Sequence, residues 1–379
     1  WRQNLQGDGG MIFRKLELSD FRNIKSLSMQ PCECVNIICG ENAQGKTNLM
    51  EAMWLFTGAK SFRKTKDSEF IKIGEEKACL YADFFAEGRE QSAEISFSPS
   101  KAIKKNGIDM RSAAEYAGTC GGVVFSPGQM NLFRDGPKER RRLADTSLCQ
   151  LYPKYISLLA DYKKVLEQRN AMLRDAKFHS ALLDMIEVYD AQLARLGGNI
   201  LKTRINYCES LNRKAVEIYA GMSGGKEKFA AEYLSTCLEH GEHANSSMST
   251  QSLAQKFYEK LYASRGADIE HGTTSVGPHR DDIEVTLDEL PVASFGSQGQ
   301  QRSCILSIKL GEAKLLGEVM GEPPLILLDD VMSELDSGRR EYILNSIGES
   351  QIFVTCCDEG LFAGLSEGKV FHMNGGKIY

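Results

Sequence analysis

A glycine-rich loop between an apolar strand and a helix constrains this chain more than any other feature. The sequence VNIICGENAQGKTNLMEAMWLF occupies 35–56, and its loop fits the pattern GxxxxGK[ST] at every fixed position. Such a loop surrounds triphosphate oxygens with backbone N–H groups, directs a helix N-terminus at them and places a lysine on the β- and γ-phosphates. A chance match is the alternative, but the flanking strand and helix disfavour it. The sequence therefore predicts a nucleotide-binding α/β fold.

The loop assigns individual roles to its residues. Lys46 would contact the β- and γ-phosphates, and Thr47 would offer its hydroxyl to Mg²⁺. The predicted phosphate-binding residues are Gly40, Glu41, Asn42, Ala43, Gln44, Gly45, Lys46 and Thr47. ATP and Mg²⁺ are the expected cofactors.

A second acidic element follows a second apolar strand. In PPLILLDD, residues 323–330, four apolar residues precede Asp329 and Asp330. A P-loop NTPase needs an acidic group for the metal at the end of such a strand, which suits Asp329. Asp330 is placed to polarise the attacking water as a general base. A buried strand with an incidental acidic turn is the alternative.

A third element opens a helix shortly before that strand. The segment SFGSQGQQRSCILSIKLGEAKLL spans 294–316, and small residues there would let the backbone approach a phosphate at a helix N-terminus. An ordinary serine N-cap is the alternative explanation. Following the loop at 40–47 and preceding Asp329, the segment resembles the signature of the ABC-type ATPases. In that superfamily, the signature of one subunit covers the nucleotide bound by the other.

Composition limits the functions that remain. The net charge of −5 excludes a general basic coat, so any nucleic-acid binding must come from local patches. Eleven cysteines without a CxxC pair indicate reduced thiols in a cytoplasmic protein. No apolar run approaches the length of a membrane span. We interpret WRQNLQGDGG, residues 1–10, as an upstream or non-native extension.

The order of segments predicts an ATPase domain split by a helical insertion. Strand-like sequence fills 11–138, long helices fill 139–270, and strand-like sequence returns in 271–379. Two apolar stripes, in 151–173 and 182–200, predict an antiparallel helical hairpin with its turn in RDAKFHS.

Seven segments in order resemble the RecF family of SMC-like DNA repair ATPases. They are LELSDFRNIKSL, GENAQGKTNLMEAM, SFRKTKDSEFI, FSPGQMNLFRDGPKERRRLAD, TSVGPHRDDIEVTL, FGSQGQQRSCILSIKLGEA and LILLDDVMSELDSGRR. The resemblance implies an ABC-type P-loop ATPase head (lobe I, mixed sheets) interrupted by a helical lobe II. It also implies an ATP-driven dimer on single-stranded DNA, duplex or gap junctions, with slow, DNA-stimulated hydrolysis. RecO and RecR would be partners in loading RecA, and the SOS response would depend on it.

The resemblance also assigns residues. Gly40 to Asn48 would hold phosphates, and Arg22 would contact a phosphate or the adenine side. Gln129 would be the polar contact of the Q-loop. Ser297, Gly299 and Gln300 would reach the γ-phosphate across the dimer, with Asp336 at that interface. Where the ABC-type ATPases would have a switch histidine, this chain has CCDEG, with His279 as an alternative polar group.

Two basic runs are candidates for DNA phosphate contacts. One comprises Lys60, Arg63, Lys64 and Lys66, and the other includes Arg140 and Arg141. A solvated charged surface is the default alternative for each run, and the second run could instead brace the helical insertion. Neither run contains a series of aromatic residues for base stacking, which favours phosphate recognition with little dependence on base sequence.

Two other functions are compatible with a phosphate-binding loop. The ATPase subunit of a membrane transporter is disfavoured by the helical hairpin, the missing switch histidine and the long interval between Lys46 and Asp329. A nucleotide or sugar kinase would need an acceptor pocket and no signature helix.

Overall fold

The computed structural model describes residues 10–98, 100–178, 183–239, 241–358, 360 and 368–379. Of the predicted extension at 1–10, only Gly10 belongs to the described part. The chain forms two compact units: Trp1–Asn131 with Lys309–Tyr379, and Leu132–Ile308. Among the described residues, no helix is both long and apolar enough to span a membrane.

Strands predominate in the first unit and helices dominate the second. In chain order they are β1 (Ile12–Phe21), β2 (Ile24–Met29), β3 (Val35–Cys39), α1 (Lys46–Leu55), β4 (Ala78–Ala86), β5 (Arg89–Ser98), β6 (Ser100–Lys105), β7 (Ile108–Asp109), α2 (Ala113–Tyr116), β8 (Gly122–Phe125), α3 (Pro137–Leu151), α4 (Pro153–Ala176), α5 (Leu183–Ser223), β9 (Phe229–Leu234), α6 (Thr250–His271), β10 (Asp282–Leu287), β11 (Leu290–Pro291), α7 (Val292–Phe295), α8 (Gln298–Met320), β12 (Leu325–Leu328), α9 (Ser337–Ser346), β13 (Ile352–Cys356), β14 (Lys369–Asn374) and β15 (Lys377–Ile378). Short 3₁₀ turns lie at Asp67–Phe70, Gln129–Asn131 and Met332–Glu334.

The first unit contains an antiparallel sheet of six strands in the order β2-β1-β4-β5-β6-β7. Buried and more exposed residues alternate strictly along β4, as expected of a strand with one face on the core. The hairpin that joins β4 to β5 turns at Glu87 and Gly88, with φ values of 53° and 71°. The strands β1 and β2, at the start of the segment predicted to be strand-like, pair with each other antiparallel.

The second sheet of this unit carries the predicted loop. Its order is β15-β14-β3-β13-β12-β8, and every pairing is parallel except that of β15 with β14. All residues of β3, β12 and β13 are buried, which explains why these strands are apolar runs without alternation. β3 pairs on one side with β13 and on the other with β14, both near the opposite end of the sequence.

Aromatic rings fill the core of the first unit. Phe13 contacts Phe56, Phe84 and Phe353 edge to face, with ring centroids 5.7, 6.3 and 6.4 Å apart. These residues come from β1, β4, β13 and the end of α1, so the core joins both sheets through the helix that follows the loop.

The second unit contains the predicted helical hairpin. Helices α4 and α5 pack against each other, and α5 continues for 41 residues, well beyond the predicted stripe. Part of the predicted turn, residues 179 and 180, lies outside the described residues. The unit extends to Ile308, whereas the sequence predicted a return to the ATPase domain at 271. The reason is that β10 pairs with both β9 and β11, which ties 282–291 to the helical unit.

A buried ion network joins three helices of the second unit. Arg169 of α4 bonds Asp190 of α5 at 2.6 Å and Asp268 of α6 at 2.8 Å. All three side chains are 0% exposed. A third acceptor of the guanidinium is the hydroxyl of Thr274, at 2.9 Å. Removing one member of such a network leaves buried charge without compensation.

We expect Arg169→Ala to destabilise the second unit by about 3–5 kcal/mol, because Asp268 would remain buried without a cationic partner and Asp190 would keep only its pair with Arg265. The measurement is the midpoint of urea denaturation followed by circular dichroism. The matched control on the same helix is Lys163→Ala, whose exposed pair with Glu167 should contribute at most about 1 kcal/mol. Equal midpoints for the two variants would contradict the role given to the network.

Candidate nucleotide-binding site

The loop between β3 and α1 is shaped by two glycines with different constraints. Gly45 has φ +113°, a conformation that L side chains rarely adopt. Gly40 is constrained by space instead, because a Cβ atom there would lie 2.4 Å from the carbonyl oxygen of Met373 in β14. Gly375 and Gly376, just after β14, donate to the side chain and backbone oxygens of Gln44. The strand β14 and its turn therefore brace the loop.

Lys46 is held inside the loop that it follows. Its Nζ donates to the backbone oxygens of Gly40 at 2.6 Å and Glu41 at 3.0 Å, and to Sγ of Cys357 at 3.4 Å. The residue is 4% exposed. The ammonium is therefore fixed at the mouth of the loop, at the end of β3, where the motif predicts the phosphates.

Asp329 lies at the end of β12 and meets the first turn of α1. Its Oδ1 accepts hydrogen bonds from the hydroxyls of Thr47 and Thr355, each at 3.0 Å. Burial raises the pKa of Asp329 above the usual aspartate value, while both hydroxyls act to lower it. The structure thus brings the two predicted metal ligands, Thr47 and Asp329, into direct contact.

These two groups have the chemistry that Mg²⁺ prefers. Mg²⁺ takes oxygen ligands, commonly one or two carboxylates together with substrate phosphates and water. A hydroxyl and a carboxylate side by side at a phosphate loop fit that requirement. Within the described ranges there is no group of three or more His, Cys, Asp or Glu side chains suited to a metal.

Asp330 adopts a backbone conformation uncommon for a residue with a side chain. Its φ is +54°, and its backbone N–H donates to Oγ1 of Thr355 at 2.9 Å. Thr355 therefore contacts both acidic residues, because its hydroxyl donates to Asp329 and its oxygen accepts from the backbone of Asp330. Nothing in the sequence pattern had singled out Thr355.

Arg22 is bound to the helix that follows the loop. Its guanidinium forms a bidentate pair with Glu51 of α1, at 2.9 and 3.0 Å, and lies over the ring of Phe70. Glu51 is 0% exposed, so the pair is a buried element of the fold. The neighbouring Asn23 contacts the loop instead: it donates to the backbone oxygen of Gln44 and accepts from the side chain of Asn48.

Gln129 lies in the 3₁₀ turn after β8, within the first unit. Its side-chain oxygen is buried and has no hydrogen-bond partner among the residues that the structure describes. Buried carbonyl oxygens ordinarily have a partner, so this one is suited to receive a hydrogen bond from water or a ligand.

The predicted signature residues form a reciprocal helix cap in the second unit. The hydroxyl of Ser297 accepts from the backbone N–H of Gln300 at 3.3 Å, and the side chain of Gln300 accepts from the N–H of Ser297 at 2.7 Å. Gln300 also donates to Glu227 at 2.6 Å, and Gly299 accepts from Ser303. Asp336, in the first unit, caps α9 by accepting from the N–H of Arg339.

The two basic runs have different environments. Lys60, Arg63, Lys64 and Lys66 are exposed in the first unit, and Arg63 donates to Asn48 at 2.7 Å. Burial lowers the pKa of Lys101, Asp67 raises it and the positive charge of Lys60 lowers it further. Lys101 therefore lies near the surface that carries Lys60.

Arg140 is 8% exposed and is bound to Asp282 through two hydrogen bonds, at 2.7 and 2.8 Å. Arg141 donates to the backbone oxygen of Asp281. The second run therefore braces α3 against β10, which is the alternative role that the sequence left open. A DNA contact from Arg140 would require breaking its buried pair with Asp282.

Cys356 ends β13 and Cys357 follows it, at the place where we expected the switch histidine of an ABC-type ATPase. Cys357 is exposed and donates to Oδ1 of Asn42 at 3.3 Å. His279 lies in the second unit, where its ring nitrogens contact the hydroxyl of Tyr162 and the backbone oxygen of Thr274. Burial lowers the pKa of His279 to about 4, so the ring is neutral at physiological pH. These contacts give His279 a structural role.

Comparison with known proteins decides the family. The model of the AAA ATPase domain matches residues 11–262. The DNA replication and repair protein RecF of Clostridium perfringens (strain SM101) is 37% identical over 372 residues, covering 97% of this chain and 99% of the relative. RecF of Agathobacter rectalis is 36% identical over 373 residues, with the same coverage. The chain belongs to the RecF family.

Solved structures agree with this assignment. The structure of the recombination mediator protein RecF-ATP in the RecFOR pathway is 32% identical, covers 100% of this RecF-family chain and 99% of its own, and has a TM-score of 0.90. The Smc head domain from Pyrococcus furiosus shares the fold, with a TM-score of 0.55. It is 17% identical, and the match covers 97% of this chain and 96% of the Smc chain. The predicted ABC-type ATPase head fold is confirmed.

We expect Lys46→Ala to weaken ATP binding by about 10- to 150-fold, the effect of losing charged hydrogen bonds worth about 1.5–3 kcal/mol. Isothermal titration with ATP and Mg²⁺ measures the change. Lys60→Ala is the control, because Lys60 is an exposed lysine beyond the end of α1. An affinity for ATP within twofold of wild type in Lys46→Ala would refute the assignment of the loop.

Proposed function

We propose that this RecF-family protein is an ATP-dependent DNA-binding protein of replication and recombinational repair, whose ATP-bound form is a homodimer. The observation that carries the proposal is the contact of Thr47 with Asp329 beside the buried Lys46. This contact provides a complete set of groups for a Mg²⁺–triphosphate in one subunit. The exposed cap of α8 provides backbone and hydroxyl groups suited to a phosphate of a second subunit.

ATP hydrolysis in this proposal is slow and acts as a switch. Lys46 and the N–H groups of residues 40–48 would bind the phosphates, Thr47 and Asp329 would hold Mg²⁺, and Asp330 would polarise the attacking water. An aspartate reaches less far than the glutamate that is usual in ABC-type ATPases, which supports a low rate. Gln129 would contribute its buried side-chain oxygen to water or metal at this site.

The proposed DNA contacts are Lys60, Arg63, Lys64 and Lys66. Their side chains are exposed, and Arg63 links this surface to α1 through Asn48. Phosphate contacts of this kind bind DNA without reading its sequence. Single strands, linear duplex and gap junctions are all candidate substrates. We omit Arg140 and Arg141 from this surface because their guanidinium groups are bound to β10 and to the residue before it.

The wider role follows from the family. RecF proteins are named for replication and repair, and a solved relative is described as a recombination mediator in the RecFOR pathway. We propose that this chain acts in the cytoplasm with RecO and RecR, supports RecA loading and contributes to the SOS response. Its ATPase head would form lobe I and its helical unit lobe II. A membrane-transporter function finds no support among the relatives.

We expect ATP with Mg²⁺ to convert the protein from monomer to dimer, and DNA to increase the dimer fraction. Ser297→Arg should retain ATP binding and lose dimerisation, because the arginine would occupy the place of the second subunit's phosphate. Sedimentation velocity with and without ATP measures the assembly, and titration of the monomer measures ATP affinity.

The control for this variant is Ser249→Arg. Ser249 caps α6 in the same unit, because its hydroxyl accepts a hydrogen bond from the N–H of Ser252 at 3.0 Å. Replacing it therefore removes a helix cap similar to that of Ser297 and costs about 1 kcal/mol of stability. Dimerisation should survive in this control. A Ser297→Arg protein that still dimerises with ATP would exclude the proposed cap over a neighbouring nucleotide.

We expect the double variant Lys64→Ala/Lys66→Ala to bind duplex DNA more weakly whatever its sequence. The slope of log affinity against log salt concentration should be shallower by about 1.8. This is about 0.9 for each DNA phosphate that the variant no longer neutralises. Fluorescence anisotropy at several salt concentrations gives the slope. Lys163→Ala/Lys164→Ala removes the same charge from exposed positions of α4 and should leave the slope unchanged. Identical slopes in both double variants would exclude this surface.

A further inference from the structure

Two cysteines meet at the base of the phosphate loop. Cys39 ends β3, Cys356 ends β13, and these two residues are register partners in neighbouring parallel strands. Their Sγ atoms are 2.9 Å apart, and both side chains are thiols. Neither residue has a part in the ATPase mechanism proposed above, and the contact links positions 317 residues apart in the chain.

The backbone geometry permits a covalent bond between them. Neighbouring strands lie about 4.8 Å apart, within the Cα separation of about 4.4–6.8 Å that disulfides span. The sulfur atoms must approach by only about 0.9 Å to reach the bond length of about 2.05 Å. Rotation about the Cα–Cβ bonds supplies a movement of that size without separating the strands.

The loop is coupled to both residues. Cys39 immediately precedes Gly40, whose N–H donates to the backbone oxygen of Cys356 at 3.2 Å. Gly40 has no room for a side chain on the β14 side, because an added Cβ atom would lie 2.4 Å from the carbonyl oxygen of Met373. Cys357, next to Cys356, bonds both Lys46 and Asn42. A change in the side-chain geometry of Cys39 and Cys356 therefore reaches the phosphate-binding groups from both sides.

We propose that Cys39 and Cys356 form a reversible disulfide that lowers the affinity of the loop for ATP. This proposal rests on the nucleotide site proposed above. The oxidant is a hydroperoxide: two thiols and one H₂O₂ give one disulfide and two water molecules. One S–S bond forms, the O–O bond breaks, both sulfurs are oxidised and both peroxide oxygens are reduced. A dithiol reverses the reaction by thiol–disulfide exchange.

The surroundings set the pH dependence of this reaction. Burial raises the pKa of Cys356, and the Cys39 thiol raises it further, whereas the Lys46 ammonium lowers it; Cys357 is the other titratable neighbour. The thiolate is the reactive form, so the raised pKa keeps the pair slow to oxidise at neutral pH. Oxidation should accelerate as pH rises, since the thiolate fraction increases.

The experiment treats the full-length protein with H₂O₂ at pH 7 and pH 9 and maps cysteine pairs by mass spectrometry of unreduced peptides. The expected product links the peptides of Cys39 and Cys356, forms faster at pH 9 and forms more slowly with ATP and Mg²⁺ present. Its affinity for ATP should fall by about tenfold or more, as expected when phosphate-binding groups are misplaced. Dithiothreitol should restore the affinity.

Cys39→Ser should keep its ATP affinity through the same treatment. The control Cys120→Ser removes another buried thiol of the first unit and should respond like wild type. If Cys39→Ser does not fold, the reversal of the wild-type effect by dithiothreitol still tests the proposal. A link involving Cys357 instead, or a Cys39–Cys356 link with unchanged affinity, overturns it. Failure of the reduced wild type to bind ATP would instead refute the nucleotide site.

Discussion

The carboxylate of Asp329 connects the central elements of the ATPase unit through hydrogen bonds. It accepts hydrogen bonds from Thr47 at the start of α1 and from Thr355 in β13, while its own backbone N–H bonds the end of β8. Four elements that are far apart in the sequence are thereby fixed around one buried charge. A buried carboxylate is tolerated because its hydrogen bonds offset the cost of desolvation. Structure and site depend on the same contacts, so the metal-binding groups are positioned by the fold itself.

The ATP site could be predicted from the sequence because its parts are local patterns. The loop at 40–47 is one uninterrupted segment, and Asp329 follows an apolar strand, the usual place for the second acidic residue of such a site. The helical hairpin could be predicted equally well, since its apolar stripes repeat with helical spacing. What the sequence could not provide was the extent of the helical unit. That depends on the pairing of β9 with β10, a contact across a long interval that no periodicity records.

Charged residues were the least predictable part of the site. Arg22, Arg140 and the exposed lysines have the same chemistry in sequence, yet two of these arginines are paired with buried or half-buried carboxylates and the lysines are exposed. The difference lies in partners such as Glu51 and Asp282, which a local charge count does not include. Thr355 and Asn23 could not be predicted for a related reason, because each acts through a contact with a distant segment.

The position of β3 has a consequence for how the molecule is made. This strand is synthesised early, but the strands on both of its edges, β13 and β14, come more than 300 residues later. On the ribosome, a mostly apolar strand must therefore wait with both edges open until nearly the whole described chain has emerged. Open apolar edges are sites of aggregation, so this interval is the vulnerable stage of biosynthesis. Slower translation of the intervening helices would prolong that exposure.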